Sequence, residues 1–134
     1  AEELSQLNYA ALIAPANQAL FDTLHKLSWD ESHSLSSQFS IKKRNQFFSD
    51  IVDVNFFDII YFDAFGARVQ PDLWTESIFK RMFKAMKTHG VLVTYAAKGS
   101  VRRAMQAVGF RVERLEGPPG KREMLRATKP TQKC

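Results

Sequence analysis

Cysteine is almost absent from this chain. The single one, Cys134, is the last residue, so no disulfide can close within the chain and no metal centre can be built on thiolates. The three histidines, His25, His33 and His89, are scattered without ligand spacing, and no metal is expected. No apolar run approaches the ~20 residues that a membrane-spanning helix needs. The opening, with Glu2 and Glu3, lacks the basic segment and apolar core of a signal peptide. These absences lead to the expectation of a cytoplasmic protein with no membrane partner. Glycine is scarce as well: there are six, the first at Gly66. No Gly-x-Gly-x-x-Gly occurs, which excludes a nicotinamide-dinucleotide Rossmann protein.

What is present is a chain of 134 residues, 45% hydrophobic and 25% charged, sized for one domain with a real core. The net charge is +5 and unevenly placed. Lys80, Arg81, Lys84, Lys87, Lys98, Arg102, Arg103, Arg111, Arg114, Lys121, Arg122, Arg126, Lys129 and Lys133 all fall in the second half. A basic face suits a polyanion such as RNA. The alternative is a solvated helix face followed by a basic tail.

The most informative segment is Phe57-Asp58-Ile59-Ile60-Tyr61-Phe62-Asp63-Ala64-Phe65-Gly66. An apolar run cut off by an acid, a small residue, an aromatic and a glycine predicts a buried parallel strand with Asp63 at its carboxyl edge, where open α/β sheets bind ligands. Upstream, the spacing predicts a helix over 3–13, a second opened by Pro15, and a half-buried strand around Phe39 and Ile41. Residues 46–52 read as a short helical turn or irregular chain. Downstream, Asp72 is the expected cap of a helix with an apolar stripe at Ile78, Phe79, Met82, Phe83 and Met86, closed by His89-Gly90. Val91 to Tyr95 reads as a second buried strand. Ser100 is the expected cap of a helix through Val101, Ala104, Met105 and Val108, which Gly109 stops. Phe110–Leu115 and Glu123–Thr128 alternate about Gly117-Pro118-Pro119-Gly120, as in a hairpin. From residue 57 on, this order is the second half of a doubly wound α/β sheet that ends in an antiparallel hairpin. Such a Rossmann-like sheet is characteristic of class I methyltransferases. The expected organisation is a single domain over 1–134, with a helical, linking region over 1–56 and the carboxyl-terminal half of the sheet over 57–129, which the resemblance below implies to be a partial methyltransferase domain.

Four blocks carry a resemblance. They are Tyr-Phe-Asp-Ala-Phe-Gly (61–66), Gln-Pro-Asp-Leu-Trp-Thr (70–75), Thr-Tyr-Ala-Ala-Lys-Gly-Ser-Val-Arg-Arg-Ala-Met-Gln-Ala-Val-Gly-Phe (94–110) and Gly-Pro-Pro-Gly-Lys-Arg-Glu-Met-Leu (117–125). In order and spacing the chain resembles the MnmC-type tRNA methyltransferase family. The resemblance implies S-adenosylmethionine as cofactor and tRNA as partner. It implies methylation of the aminomethyl group on the wobble uridine, and a link to the FAD-dependent oxidase that prepares that amine. The family begins with a strand, a glycine-rich turn and a ribose-binding acid, which this chain does not show. It therefore resembles the carboxyl-terminal part of the enzyme, with half of the cofactor site and an unpaired strand edge expected to be covered by a second copy. A non-catalytic RNA-binding remnant of the fold is the rival reading.

Within that resemblance Asp63 is the expected catalytic residue, since a carboxylate can orient a neutral amine, accept its proton and stabilise charge building on nitrogen. Phe65 is the best candidate for stacking on an extruded base. Tyr95, at the end of the next strand, is divided between a substrate or cofactor role and a place in the core. Lys98, Arg102 and Arg103 crowd the positive end of a helix, where the dipole does not call for cations, and this favours an anionic partner. Lys121 and Arg122 in the hairpin suit tRNA contact or an ion pair that holds the loop. Asp50 and Ala64 are the candidate cofactor-binding positions, with a helix cap as the plainer role for Asp50. Trp74 is expected to pack against the helix that follows it.

Overall fold

A computed structural model describes residues 6–132. The chain divides into two compact units, residues 1–45 and 46–134. The first contains α1 (Tyr9–Ile13), a 3-10 turn at Pro15–Asn17, α2 (Gln18–Lys26), and strands β1 (Ser32–Ser34) and β2 (Ser40–Lys42). Pro15 opens the turn that leads into α2, as expected of a residue with no N–H to leave unpaired. Residues 3–5 of the expected first helix lie outside the described residues. The strand around Ile41 exists, but it is short and pairs antiparallel with β1, which the sequence pattern did not announce. Serines and a histidine fill β1, and they carry no alternation of apolar residues.

The second unit is a four-stranded sheet with two helices. It comprises a 3-10 turn (Phe48–Asp50), β3 (Phe57–Tyr61), a 3-10 turn (Pro71–Trp74), α3 (Glu76–Ala85), β4 (Met86–Thr94), α4 (Gly99–Ala107), β5 (Arg111–Glu116) and β6 (Glu123–Thr128). The sheet order is β3-β4-β6-β5. β3 and β4 run parallel, and β6 joins antiparallel to both β4 and β5. Alternation decides the faces. Phe62, Leu92, Leu125 and Ala127 point into a core shared with Ile78, Phe79, Met82 and Phe83 of α3 and with Val101 and Met105 of α4. Phe79 is fully buried, a placement that contributes roughly 1.5–3 kcal/mol for such a side chain.

Four local expectations need correction. β3 is not wholly buried: it is the edge strand, and Ile59 and Tyr61 on its other face are 47% and 76% exposed. Asp72 does not cap α3; it lies in the preceding 3-10 turn, and the Thr75 hydroxyl accepts from the Ile78 N–H at 3.5 Å. α3 ends at Ala85 rather than at His89-Gly90, because Met86 is drawn into strand pairing with Phe57. His89 has φ 68° within β4, where the pairing shifts register, so it marks a bulge rather than a helix end. α4 starts at Gly99 after Lys98, one residue before the serine expected to cap it, and no side chain caps it. Gly109, at φ 113°, does stop α4, in a conformation that only glycine adopts without strain.

The ends of α3 show how polar groups are settled. Lys129 is 5% exposed, and its Nζ donates to the carbonyl oxygens of Phe83 (2.9 Å) and Met86 (2.8 Å) and to Asn55 Oδ1 (3.2 Å). A cation thus sits on the negative end of the helix. Burial lowers the Lys129 pKa from its ordinary 10.5.

Candidate active site

β3 ends at Tyr61, and one further bond, Phe62 N–H to the Val93 carbonyl at 2.9 Å, holds the chain to β4. Asp63 follows at once and is exposed at the carboxyl edge of the sheet. The loop it opens is anchored from below: Trp74 is buried against Phe62, with ring centroids 5.1 Å apart, and its indole Nε1–H donates to the Phe65 carbonyl at 2.8 Å. Trp74 also packs against the following helix as expected, with its ring centroid 6.3 Å from that of Phe79 in α3, and the hydrogen bond adds a second function to it.

Two hollows meet at Asp63. The larger, about 590 Å³, is walled by Asp63, Ala64, Phe65, Val69 and residues 70–73 on one side and by Gln46, Phe47 and Phe48 on the other. The smaller, about 280 Å³, lies between the ends of β3, β4 and β6, with Tyr61, Phe62, Val93, Thr94, Tyr95 and Met124 around Asp63. The larger falls in the volume range of small-ligand sites. Phe47 and Phe65 are 79% and 72% exposed at its wall, flat apolar faces open to a planar ligand.

The other expected residues divide into groups. Tyr95 stands on the same edge as Asp63, and the Lys121 ammonium lies 5.1 Å from its ring centroid, so strand end and hairpin meet there. The hairpin turn is closed by Lys121 N–H to the Pro118 carbonyl and by Gly117 N–H to the Arg122 carbonyl. Lys98, Arg102 and Arg103 gather at the start of α4. A Cβ on Gly99 would come within 3.0 Å of Arg103 Nη1, so that guanidinium lies over the first turn. Arg102 is half-buried, and its Nε is buried with no hydrogen-bond partner among the described residues. Ala64 lines the larger hollow, whereas Asp50 stands in the neighbouring 3-10 turn, outside the lining of both hollows. Sequence reasoning missed Phe47, Gln46 and Met124 as wall residues. They fall in stretches read as a short turn and as hairpin alternation, and neither pattern shows which side chains turn toward Asp63.

The donor set fits part of S-adenosylmethionine. Apolar walls with a carboxylate at the rim suit an adenine or a nucleobase and a polar group beside it. The described residues present no glycine-rich turn before β3, since Gly66 is the first glycine in the chain.

A parallel strand pair extended by an antiparallel hairpin whose second strand lies inside, with an acid at the carboxyl edge of β3, defines a Rossmann-like methyltransferase sheet. The S-adenosyl-L-methionine-dependent methyltransferase family matches residues 32–130, and the chain belongs to that family. S-adenosylmethionine is the family's cofactor. Among curated proteins, the tRNA 5-methylaminomethyl-2-thiouridine biosynthesis bifunctional protein MnmC of Burkholderia thailandensis is 34% identical over 118 residues, 84% of this chain and 17% of that protein. Its namesake from Actinobacillus pleuropneumoniae serotype 5b is 38% identical over 78 residues, 58% of this chain and 12% of that protein. The chain therefore spans less than a fifth of these relatives. Among solved structures, MNMC2 from Aquifex aeolicus matches with a TM-score of 0.67 at 24% identity, covering 86% of this chain and 39% of that one, a likeness of fold. No helix among the described residues is long and apolar enough to cross a membrane.

Proposed function

We propose that this chain is the substrate-side portion of a tRNA methyltransferase that methylates the aminomethyl nitrogen of a wobble uridine, with Asp63 as its catalytic residue. The observation that carries the reading is the position of Asp63, where two hollows meet at the carboxyl edge of β3. The family match and the names of the curated relatives support the substrate class. S-adenosylmethionine, when bound, supplies a methyl carbon on a positively charged sulfur. A neutral amine held beside Asp63 would accept that methyl group, the sulfur keeping the electron pair of the bond it loses. Asp63 orients the amine and takes the proton that the alkylated nitrogen gives up. Phe65 offers a stacking face for the extruded base, and Tyr95 and Lys121 close the far side. Lys98, Arg102, Arg103 and Arg122 meet RNA phosphates. Ala64, in the wall of the larger hollow, would lie against the cofactor; Asp50, outside that wall in the neighbouring turn, would reach it only at the adenine end. The setting is the cytoplasm, alongside the oxidase that makes the amine.

The edge position of β3 in its sheet supports self-association: a second copy pairs its own strand there. A second reading, an RNA-binding unit without chemistry, draws on the cations Lys98, Arg102 and Arg103 gathered at the start of α4. The test is methyl transfer from radiolabelled S-adenosylmethionine to unmethylated tRNA, with wild type and Asp63→Ala compared. Loss of transfer with tRNA binding retained is expected. Equal loss of both removes Asp63 from the chemistry, and no transfer by a cofactor-saturated wild type favours the binding unit.

A further inference from the structure

A third hollow, about 300 Å³, lies away from Asp63, between residues 51–54 and one face of α3. Ser77, Lys80, Arg81 and Lys84 line it at positions i, i+3, i+4 and i+7, the spacing that puts four side chains on one stripe of a helix. The opposite stripe, Ile78, Phe79, Met82 and Phe83, is in the core. Three cations face one carboxylate, Asp53, which already has an interaction of its own.

The wall is held in place. Arg81 Nη1 donates to the Ile51 carbonyl at 3.2 Å. The Asn55 and Phe56 N–H groups donate to the Lys84 and Ala85 carbonyls, both at 2.8 Å. Lys80 and Lys84 are exposed residues in the wall of this hollow. The Asn55 and Phe56 bonds also put Lys84 beside the amino end of β3, and Asp63 lies beyond its carboxyl end. The six residue steps from Phe57 to Asp63 span roughly 20 Å of extended chain. One ligand that reaches both places is an extended polyanion, not a mononucleotide.

We infer that this groove is a second phosphate-binding strip for RNA, in which Lys80 and Lys84 contact the sugar-phosphate backbone of a substrate whose target base lies at Asp63. The inference rests on the tRNA reading above. Backbone contacts of this kind set register and affinity without reading sequence, and they make binding depend on salt.

The test is binding of a labelled tRNA transcript across a salt series, for the wild type, Lys80→Ala/Lys84→Ala and Ser77→Asp. The double variant is expected to bind roughly threefold to tenfold more weakly at low salt, with the slope of log affinity against log salt shallower by about 2. Ser77→Asp adds a negative charge that repels phosphate but suits the first turn of α3, so tRNA binding falls while the melting temperature is kept. Wild-type binding with both variants unchanged in affinity and slope overturns the groove and leaves the tRNA reading standing. Absence of tRNA binding by the wild type at low salt overturns both. A loss confined to phosphatidylserine vesicles, with tRNA binding unchanged, overturns the groove in favour of an anionic membrane.

Discussion

The Trp74 indole reaches out of the core to hold the Phe65 carbonyl at 2.8 Å, so the loop that carries Asp63 hangs from a buried ring. Trp74→Phe keeps much of the packing and removes the bond. A loss of about 1 kcal/mol in urea unfolding is expected. Methyl transfer should fall further than stability alone accounts for, because Asp63 is then less well positioned. A variant that loses stability but turns over normally would separate the two roles.

Lys129 is expected to matter to folding rather than to tRNA. In Lys129→Met the Phe83 and Met86 carbonyls lose a charged donor, a change that costs about 1.5–3 kcal/mol per charge-assisted bond and shows in chemical denaturation. Binding of tRNA by the folded variant should be nearly unchanged.

The same lysine gives a pH signature. Its folded pKa lies below 10.5, so between that lowered value and 10.5 the unfolded chain holds a proton that the folded chain has released. Stability then rises with pH across this window. Subtracting the Lys129→Met curve removes the other titrating groups. A wild-type advantage that grows toward pH 10.5 is expected, and one that shrinks would contradict burial as the cause of the shift.

Gly109→Ala tests the stop of α4. At φ 113° an L-residue is strained, and the added Cβ meets the Phe83 ring at 3.3 Å. A loss of about 1–3 kcal/mol is expected. Calorimetry checks it, and a loss near zero would mean that the turn relaxes into another conformation.

Ile59→Lys places a charge on the open face of β3, a device that discourages strand-edge pairing. If copies of the chain pair there, sedimentation velocity should show the wild type associating with concentration and the variant remaining monomeric. A wild type that is monomeric throughout would end the dimer proposal.

Much of the sheet was legible because its strands and helices carry strong periodicity. The stripe Ile78, Phe79, Met82, Phe83 is buried as read, and the alternation of Phe110–Leu115 against Glu123–Thr128 became β5 and β6. Strand breaks at glycine and acid located the edge where Asp63 emerges. The errors arose where tertiary contacts outweigh local signals. Met86 continues the helical stripe, yet pairing with Phe57 claims it for β4. Asp72 is a good cap by type, but Pro71 starts a 3-10 turn there and leaves Thr75 to do the capping. The walls at Phe47 and Met124 depend on how loops fold back, which periodicity does not encode.

The slip in the β3–β4 pairing has a consequence for how this sheet tolerates changes of length. Phe57 faces Met86, but two residues on, Ile59 faces Val91, and the surplus is taken up around His89. Asp58 and Lys87 clasp across the slip at 3.3 Å, and Lys129 closes it from the other side. Beyond it, Ile60 faces Leu92 and Tyr61 faces Val93 in unbroken step. Residues gained or lost between α3 and Val91 would therefore fall at the end remote from Asp63, where the pairing already slips, and leave the edge that carries Asp63 in register.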